Sequence, residues 1–209
     1  MLQNGSEEIF VPVSYFEFKF KEKGSIFLAQ IFPAADETEA ANTLLTIKKK
    51  YYDATHNCYS YRIYPDIFKY SDDGEPNGTA GIRIFNALKH YNLYNCILIV
   101  TRYFGGTKLG VGPLGNAYYN SAIEVIKSAN IEQKHLHNLI KIEFDFSLSK
   151  TIYHLIEEFN LKIDKTTYSD IAIIQGNILT SKYCLFLEKL ISLTSSTAKV
   201  IVVNENLLS

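Results

Sequence analysis

Two segments of this chain are rich in glycine and turn-forming residues, and their positions constrain the fold of everything around them. The acidic segment, SDDGEPNGTAG at residues 71–81, carries the carboxylates Asp72, Asp73 and Glu75. The glycine segment, TRYFGGTKLGVGPLG at residues 101–115, carries five glycines and the cations Arg102 and Lys108. Sequences this rich in glycine and turn-forming residues bury little apolar surface. We therefore predict two functional loops, one acidic and one suited to anions.

The chain before residue 132 predicts the order ββαβ, acidic segment, α, β, glycine segment, α. Alternating aromatic residues at 15–20 indicate a half-buried strand, and residues 25–32 indicate its hairpin partner. Asp36 is expected to begin a helix, and residues 55–64 alternate again. The continuous apolar run at 96–100 predicts a central strand that leads directly into the glycine segment.

A polar stretch, EQKHLHN at residues 132–138, predicts a linker between two domains, 1–131 and 139–209. Beyond it, strand-like alternation and helical stripes follow each other in the order βαββαβ. This order is typical of a ferredoxin-like domain. The predicted class is α+β, with a larger N-terminal and a smaller C-terminal domain.

Composition narrows the setting in which such a protein works. Hydrophobic residues make up 47% of the 209 residues, no apolar run approaches the ~20 residues that span a bilayer, and the N-terminal sequence lacks a signal-peptide pattern. Cys58, Cys96 and Cys184 are odd in number and widely separated, so we expect reduced thiols in a cytoplasmic protein. A net charge of −1 gives no general attraction to a polyanion, so nucleic-acid binding would need a local patch.

The acidic segment supports two interpretations. Asp72, Asp73 and Glu75 could hold Mg²⁺, because hard carboxylate oxygens suit a hard cation. The alternative is a solvated turn, with the aspartates bonded to nearby N–H groups and Asn77 or Thr79 capping the next helix.

The glycine segment also supports two interpretations. Arg102 and Lys108 could bind an anion, a phosphorylated small molecule or a nucleic acid, together with backbone N–H groups of four glycines: Gly105, Gly106, Gly110 and Gly112. The spacing matches neither a P-loop nor a Rossmann fingerprint. The alternative is a tight turn in which Arg102 pairs with a carboxylate of the acidic segment, which would bring both segments into one cleft.

The strand at 55–64 places His56, Cys58 and Arg62 on one polar face, opposite Tyr59, Tyr61 and Ile63. His56 and Cys58 are ~6.6 Å apart at ~3.3 Å per residue, too far for a thiol–imidazole pair. The face could contribute to a binding surface, or it could lie under a helix with its polar groups internally satisfied.

Four blocks in this order and spacing resemble the IMPACT family, which includes bacterial YigZ-type two-domain proteins. The blocks are ATHNCYSYRI at 54–63, DDGEPNGTAG at 72–81, RYFGG at 102–106 and LGVGPLGNAY at 109–118. Arg83 and Pro113 depart from the family pattern, where proline and glycine are expected, and Pro113 removes one backbone donor.

The resemblance implies an N-terminal domain related to a ribosomal-protein domain, the ribonuclease P protein and galactokinase-type kinases. It also implies a C-terminal domain similar to the fifth domain of elongation factor G. Eukaryotic relatives are associated with control of translation initiation, so the implied function is cytosolic, non-catalytic regulation or binding through RNA, the ribosome or a protein. The residues leave open a Mg²⁺-dependent enzyme or sensor for a small phosphorylated ligand held between the two segments.

Overall fold

The computed structural model describes residues 8–208, which form two compact units. Of the described residues, one unit comprises 9–133, and the other comprises 134–208 together with Glu8. The fold is α+β, with two sheets and five α-helices in the described part of the chain. The α+β class predicted from the sequence is confirmed.

The elements before residue 129 are, in chain order: β1 Glu8–Pro12, β2 Phe16–Glu22, β3 Ser25–Pro33, α1 Glu37–Lys50, β4 His56–Ile63, β5 Ile67–Ser71, α2 Gly81–His90, β6 Cys96–Tyr103 and α3 Val111–Ser128; all but the first residue of β1 belong to the unit of residues 9–133. Asp36 caps α1, as expected, by accepting a hydrogen bond from the Glu39 N–H at 2.8 Å. Strand β5 was not predicted. Its residues lie at the sheet edge and are mostly exposed, so no apolar periodicity marks it.

The sheet of this unit has the order β2-β3-β6-β4-β5, with every neighbouring pair antiparallel. Strand β6 lies at its centre and is almost entirely buried, as its apolar run predicts. One face packs against α2 and α3, and the other packs against α1. The side chains of β4 alternate between these faces, with Cys58 under α2 and α3 and Tyr59 and Tyr61 under α1.

The second unit has these elements: β7 Ile131–Phe144, α4 Ser149–Phe159, β8 Lys162–Tyr168, β9 Ala172–Leu179, α5 Thr180–Thr194 and β10 Lys199–Leu208. Within it, β10 pairs with β7, β7 with β9, and β9 with β8, all antiparallel. The core lies between one face of these strands and the helices α4 and α5. The order βαββαβ therefore agrees with the sequence pattern.

The polar stretch at 132–138 is not a loop. It forms the first half of β7, where Leu136 pairs with Leu208 and His137 with Leu207. Backbone hydrogen bonds build this pairing, so the strand does not require the apolar alternation used to predict strands elsewhere. Independent folding of the two units remains a prediction.

Candidate functional site

Asp72 organises the acidic segment from within. Its Oδ1 accepts hydrogen bonds from the N–H groups of Ala80 and Gly81 at 2.9 and 2.8 Å, and its Oδ2 accepts one from Gly78 at 2.9 Å. Asp72 therefore caps α2 from eight residues before its N-cap, a role that the solvated-turn alternative had given to Asn77 or Thr79. A Cβ on Gly81 would lie 2.7 Å from the Ser71 backbone, so only glycine allows α2 to begin here.

Asp73 ties the acidic segment to α1 and β4. Its Oδ1 lies 2.6 Å from Lys48 Nζ, and its Oδ2 accepts a hydrogen bond from the Asn57 N–H at 2.6 Å. Its carbonyl oxygen lies 2.7 Å from Nδ1 of His56. Because a carbonyl can only accept, His56 donates through Nδ1, and this contact fixes the orientation of the ring.

Glu75 points into the protein and forms a buried ion pair with Arg102. Oε1 of Glu75 lies 2.6 Å from Nη1 of Arg102 and accepts a second hydrogen bond from the Tyr118 hydroxyl at 2.8 Å. Only 4% of the Glu75 side chain and 6% of the Arg102 side chain are exposed. Removing either charge would leave its partner desolvated and uncompensated. This contact joins the two segments that the sequence singled out.

The second oxygen of Glu75 faces His56. Oε2 lies 3.8 Å from Nε2 of the imidazole, and no described residue donates a hydrogen bond to it. When the imidazole is neutral, its proton is on Nδ1, so Nε2 presents a lone pair. Two hydrogen-bond acceptors then face each other at the edge of a pocket.

The glycine segment contains glycines with different structural roles. A Cβ on Gly105 would lie 1.9 Å from the backbone of Gly24, so this glycine permits a close approach to the β2–β3 turn. Gly106 has φ +85° and open space around its Cα, and Gly110 is the N-cap of α3. Of the four predicted anion donors, Gly105 thus has a packing role, and its N–H donates to Ser25 Oγ at 3.1 Å.

The first turn of α3 continues the glycine segment. The N–H groups of Val111 and Gly112 have no acceptor within the helix, because the first intrahelical bond runs from the Leu114 N–H to the Gly110 carbonyl. Pro113 has no N–H, but the first turn of a helix tolerates proline without losing a helical hydrogen bond. Arg83, the other departure from the family pattern, lies close to Gly115 of this helix.

A pocket of about 410 Å³ lies between the two segments. Its polar lining includes the inward-facing Glu75 and Arg102, the imidazole of His56, and Lys108, for which no described residue is a hydrogen-bond or ion-pair partner. The other lining residues are mainly apolar: Thr55, Pro76, Phe104, Leu109, Gly110, Val111 and Leu114. A concave, largely apolar site with a few convergent polar groups is the usual form of a ligand pocket.

The three carboxylates do not converge on one point. Asp72 and Asp73 use their oxygens on backbone N–H groups and Lys48, whereas Glu75 turns away from both toward Arg102. Within residues 8–208, no three His, Cys, Asp or Glu side chains are arranged to hold a metal ion. The geometry thus does not provide the Mg²⁺ site expected for Asp72, Asp73 and Glu75, because the loop uses two of these carboxylates to fold itself.

The polar face of β4 is divided between different surroundings. Only His56 reaches the pocket. Cys58 is fully buried, 3.3 Å from the Tyr118 hydroxyl, and burial raises the pKa of its thiol, which keeps it protonated and poorly nucleophilic. Arg62, near the other end of the strand, stacks on Tyr94 and donates a hydrogen bond to its hydroxyl. Cys58 and Arg62 therefore follow the alternative in which the polar groups are internally satisfied.

Two residues of the site were not assigned a role from the sequence. The hydroxyl of Tyr118 on α3 donates to Glu75, and burial, with Cys58 and Glu75 nearby, raises the pKa of the phenol. Phe104 lies in the RYFGG block and is 46% exposed at the pocket wall. An aromatic residue in a glycine-rich loop was the available signal for Phe104.

The chain is similar to known proteins across the region that forms the pocket. The Impact N-terminal domain matches residues 23–126, a range that contains every pocket-lining residue. IMPACT family member YvyE of Bacillus subtilis is 34% identical over 148 residues, which cover 70% of this chain and 68% of that protein. IMPACT family member YigZ of Escherichia coli is 25% identical, over 81% of this chain and 86% of that protein.

A crystal structure of a hypothetical protein has the same fold, with a TM-score of 0.62 and 21% sequence identity over 96% of this chain and 100% of that one. In the described part of the chain, no helix is both long enough and apolar enough to cross a membrane. The relatives and the matched domain together show that this chain belongs to the IMPACT family.

Proposed function

We propose that this protein is a cytoplasmic, non-catalytic binding protein that acts near translation, and that the pocket between the acidic and glycine segments is its contact site for RNA. The observation that carries the proposal is the charge of the pocket. Arg102 and Lys108 contribute two positive charges and Glu75 one negative charge, so the lining is cationic even when His56 is neutral. The free N–H groups at the start of α3 add to this local attraction for phosphate.

The apolar wall suits the other part of a nucleotide. Phe104 and Val111 are both exposed at the pocket, and an aromatic face beside cations is the common element of sites that bind single-stranded nucleic acid. The chain as a whole has a net charge of −1, so a local cationic site, rather than a general field, would supply the attraction.

The class of each domain is part of this proposal. The strand order β10-β7-β9-β8 with two helices on one face supports a ferredoxin-like second unit, similar to the fifth domain of elongation factor G. We assign the first unit to the class that includes a ribosomal-protein domain and the ribonuclease P protein. Both assignments agree with a protein that works near translation.

A second candidate is an enzyme or sensor for a small phosphorylated ligand. The buried network of Glu75, Arg102 and Tyr118 favours it, because a surface that contacts only RNA backbone has no need for a desolvated ion pair. A pre-organised network of this kind suits a pocket that encloses its ligand.

Salt-dependent binding distinguishes the two candidates. Single-stranded and structured RNA are titrated at two salt concentrations, in parallel with a panel of nucleotides with and without Mg²⁺. Lys108→Ala should weaken RNA binding and reduce the slope of log affinity against log salt by about one, because each phosphate contact releases counterions. Lys127→Ala, the same charge change near the other end of α3, is the matched control.

The proposal predicts an effect of Lys108→Ala and none of Lys127→Ala. Stabilisation by one small phosphate compound, without RNA binding, would instead support the second candidate. Arg102→Ala is less useful here, because it would leave Glu75 buried without its countercharge.

A further inference from the structure

Among the described residues, the pocket lining includes two neighbouring acceptor atoms that receive no hydrogen bond from the protein, beside the buried Nε of Arg102, which also has no partner. Oε2 of Glu75 and Nε2 of His56 lie 3.8 Å apart, and both residues line the pocket. No described residue donates a hydrogen bond to Oε2. The Glu75 side chain is only 4% exposed, and a neutral imidazole with its proton on Nδ1 cannot donate to Oε2, so a donor for this oxygen would come from solvent or from a ligand.

The orientation of each acceptor is fixed by its other atoms. The Asp73 carbonyl holds Nδ1 of His56 at 2.7 Å, so the neutral ring keeps its lone pair on Nε2. Arg102 and Tyr118 hold Oε1 of Glu75 at 2.6 and 2.8 Å, so Oε2 remains directed toward His56. The pair is therefore pre-organised to accept two hydrogen bonds from one ligand.

The charge around the pair indicates the kind of donor. Arg102 already neutralises the Glu75 carboxylate through a 2.6 Å contact, and its guanidinium would repel an ammonium group brought to the same carboxylate. A neutral N–H group meets no such repulsion. The guanidinium also lies 5.6 Å from the ring of Phe104, whose exposed face can stack on a planar heterocycle.

We propose that the Glu75–His56 pair reads the Watson–Crick edge of guanine, which makes the pocket selective for guanine nucleotides. This inference rests on the proposed binding of nucleotides at the pocket. Guanine presents two adjacent donors that match the two acceptors, N1–H for Oε2 of Glu75 and the N2 amino group for Nε2 of His56. Adenine and cytosine place a ring acceptor beside their amino group, and that acceptor would face one of the two lone pairs.

The test compares GMP with IMP, which lacks only the N2 amino group, by calorimetric titration at about pH 8.5, because alkaline solution favours the neutral form of an imidazole. The wild-type protein should bind GMP about tenfold more tightly than IMP, the value of one good hydrogen bond in a desolvated site. AMP and CMP should bind more weakly than GMP by at least the same factor.

His56→Asn separates this role from a structural one. The asparagine amide can still donate to the Asp73 carbonyl in place of Nδ1, but it is too short to replace Nε2. In this variant GMP and IMP should bind equally within about twofold. His90→Asn, on α2 and outside the pocket lining, is the matched control and should keep the wild-type ratio.

The outcomes distinguish this inference from the proposed function. If the wild-type protein binds GMP and IMP equally, or binds neither, the proposal that the pair recognises guanine is wrong. If RNA binds with the expected dependence on salt and Lys108 but without base preference, the proposed function stands and this inference falls. If GMP is preferred and RNA does not bind, the inference stands and the RNA contact falls.

Discussion

The buried ion pair between Glu75 and Arg102 gives the sharpest prediction about stability. Arg102→Met keeps most of the side-chain volume but leaves Glu75, whose side chain is 4% exposed, with only the Tyr118 hydroxyl as donor. Breaking a buried pair from one side typically costs about 3–5 kcal/mol, because the remaining charge is desolvated and uncompensated. The added loss of the 3.4 Å contact with Ser25 Oγ is small by comparison.

The second variant removes the negative charge of Glu75, which Arg102→Met leaves buried without a countercharge. Glu75→Gln in the Arg102→Met background keeps an oxygen that can accept from Tyr118 but carries no charge. The double variant should regain at least half of the lost free energy of unfolding, since the cost lies in the isolated charge rather than in the lost contact. Lys127→Met, which breaks the exposed pair with Glu124, should cause no measurable change.

Hydrogen exchange of peptides from β6, measured over a range of urea concentrations, reports the stability of the first unit without interference from the second. A loss below about 1 kcal/mol in Arg102→Met would refute the reasoning. The reasoning would also be refuted if the double variant lost as much free energy of unfolding as the two single variants together. That result would show that the two residues do not act as a pair.

Three further predictions follow from packing. Gly105→Ala should destabilise the first unit strongly, because its Cβ would meet the Gly24 backbone at 1.9 Å. Gly112→Ala should be neutral or slightly stabilising, because the space around this position is open. Urea unfolding of both variants checks this contrast. In the native protein an alkylating reagent should modify Cys184 first, because Cys58 and Cys96 are buried. Burial also raises the pKa of Cys96 to about 12. Equal rates of modification at all three thiols would contradict this prediction. A fragment of residues 132–209 should fold alone, whereas a fragment of residues 139–209 should be less stable, because it lacks the pairing of Leu136 with Leu208. Circular dichroism measures the folding of both fragments. Two equally folded fragments, or two unfolded ones, would contradict this division of the chain into domains.

Much of the fold could be predicted because side-chain periodicity follows burial. The alternation on β4 separated Tyr59 and Tyr61 from Cys58 correctly, and the apolar run of β6 identified the central strand. Elements without a buried face gave no such signal. Strand β5 is exposed at an edge, and the first half of β7 is built from polar residues, so both were missed.

The sequence predicted where the site lies, but it did not predict which contacts each carboxylate makes. The sequence placed Asp72, Asp73 and Glu75 together, and nothing in their spacing indicates that Asp72 would fold back onto the start of α2. Pairing of Arg102 with the acidic segment was one of two open alternatives, and the structure selects Glu75 as the partner. Tyr118 lies 43 residues from Glu75 in sequence, so only the tertiary structure brings its hydroxyl to the pair.

The central claim is that RNA contacts the pocket at the start of α3. The most direct measurement is an NMR titration of the protein with a short single-stranded RNA, in which the amide signals of Val111 and Gly112 are followed. Both amides should shift together and saturate at the affinity measured for the RNA, because their N–H groups are free to bind phosphate. Saturable RNA binding that leaves these two amides unchanged, and shifts signals elsewhere, would contradict the account.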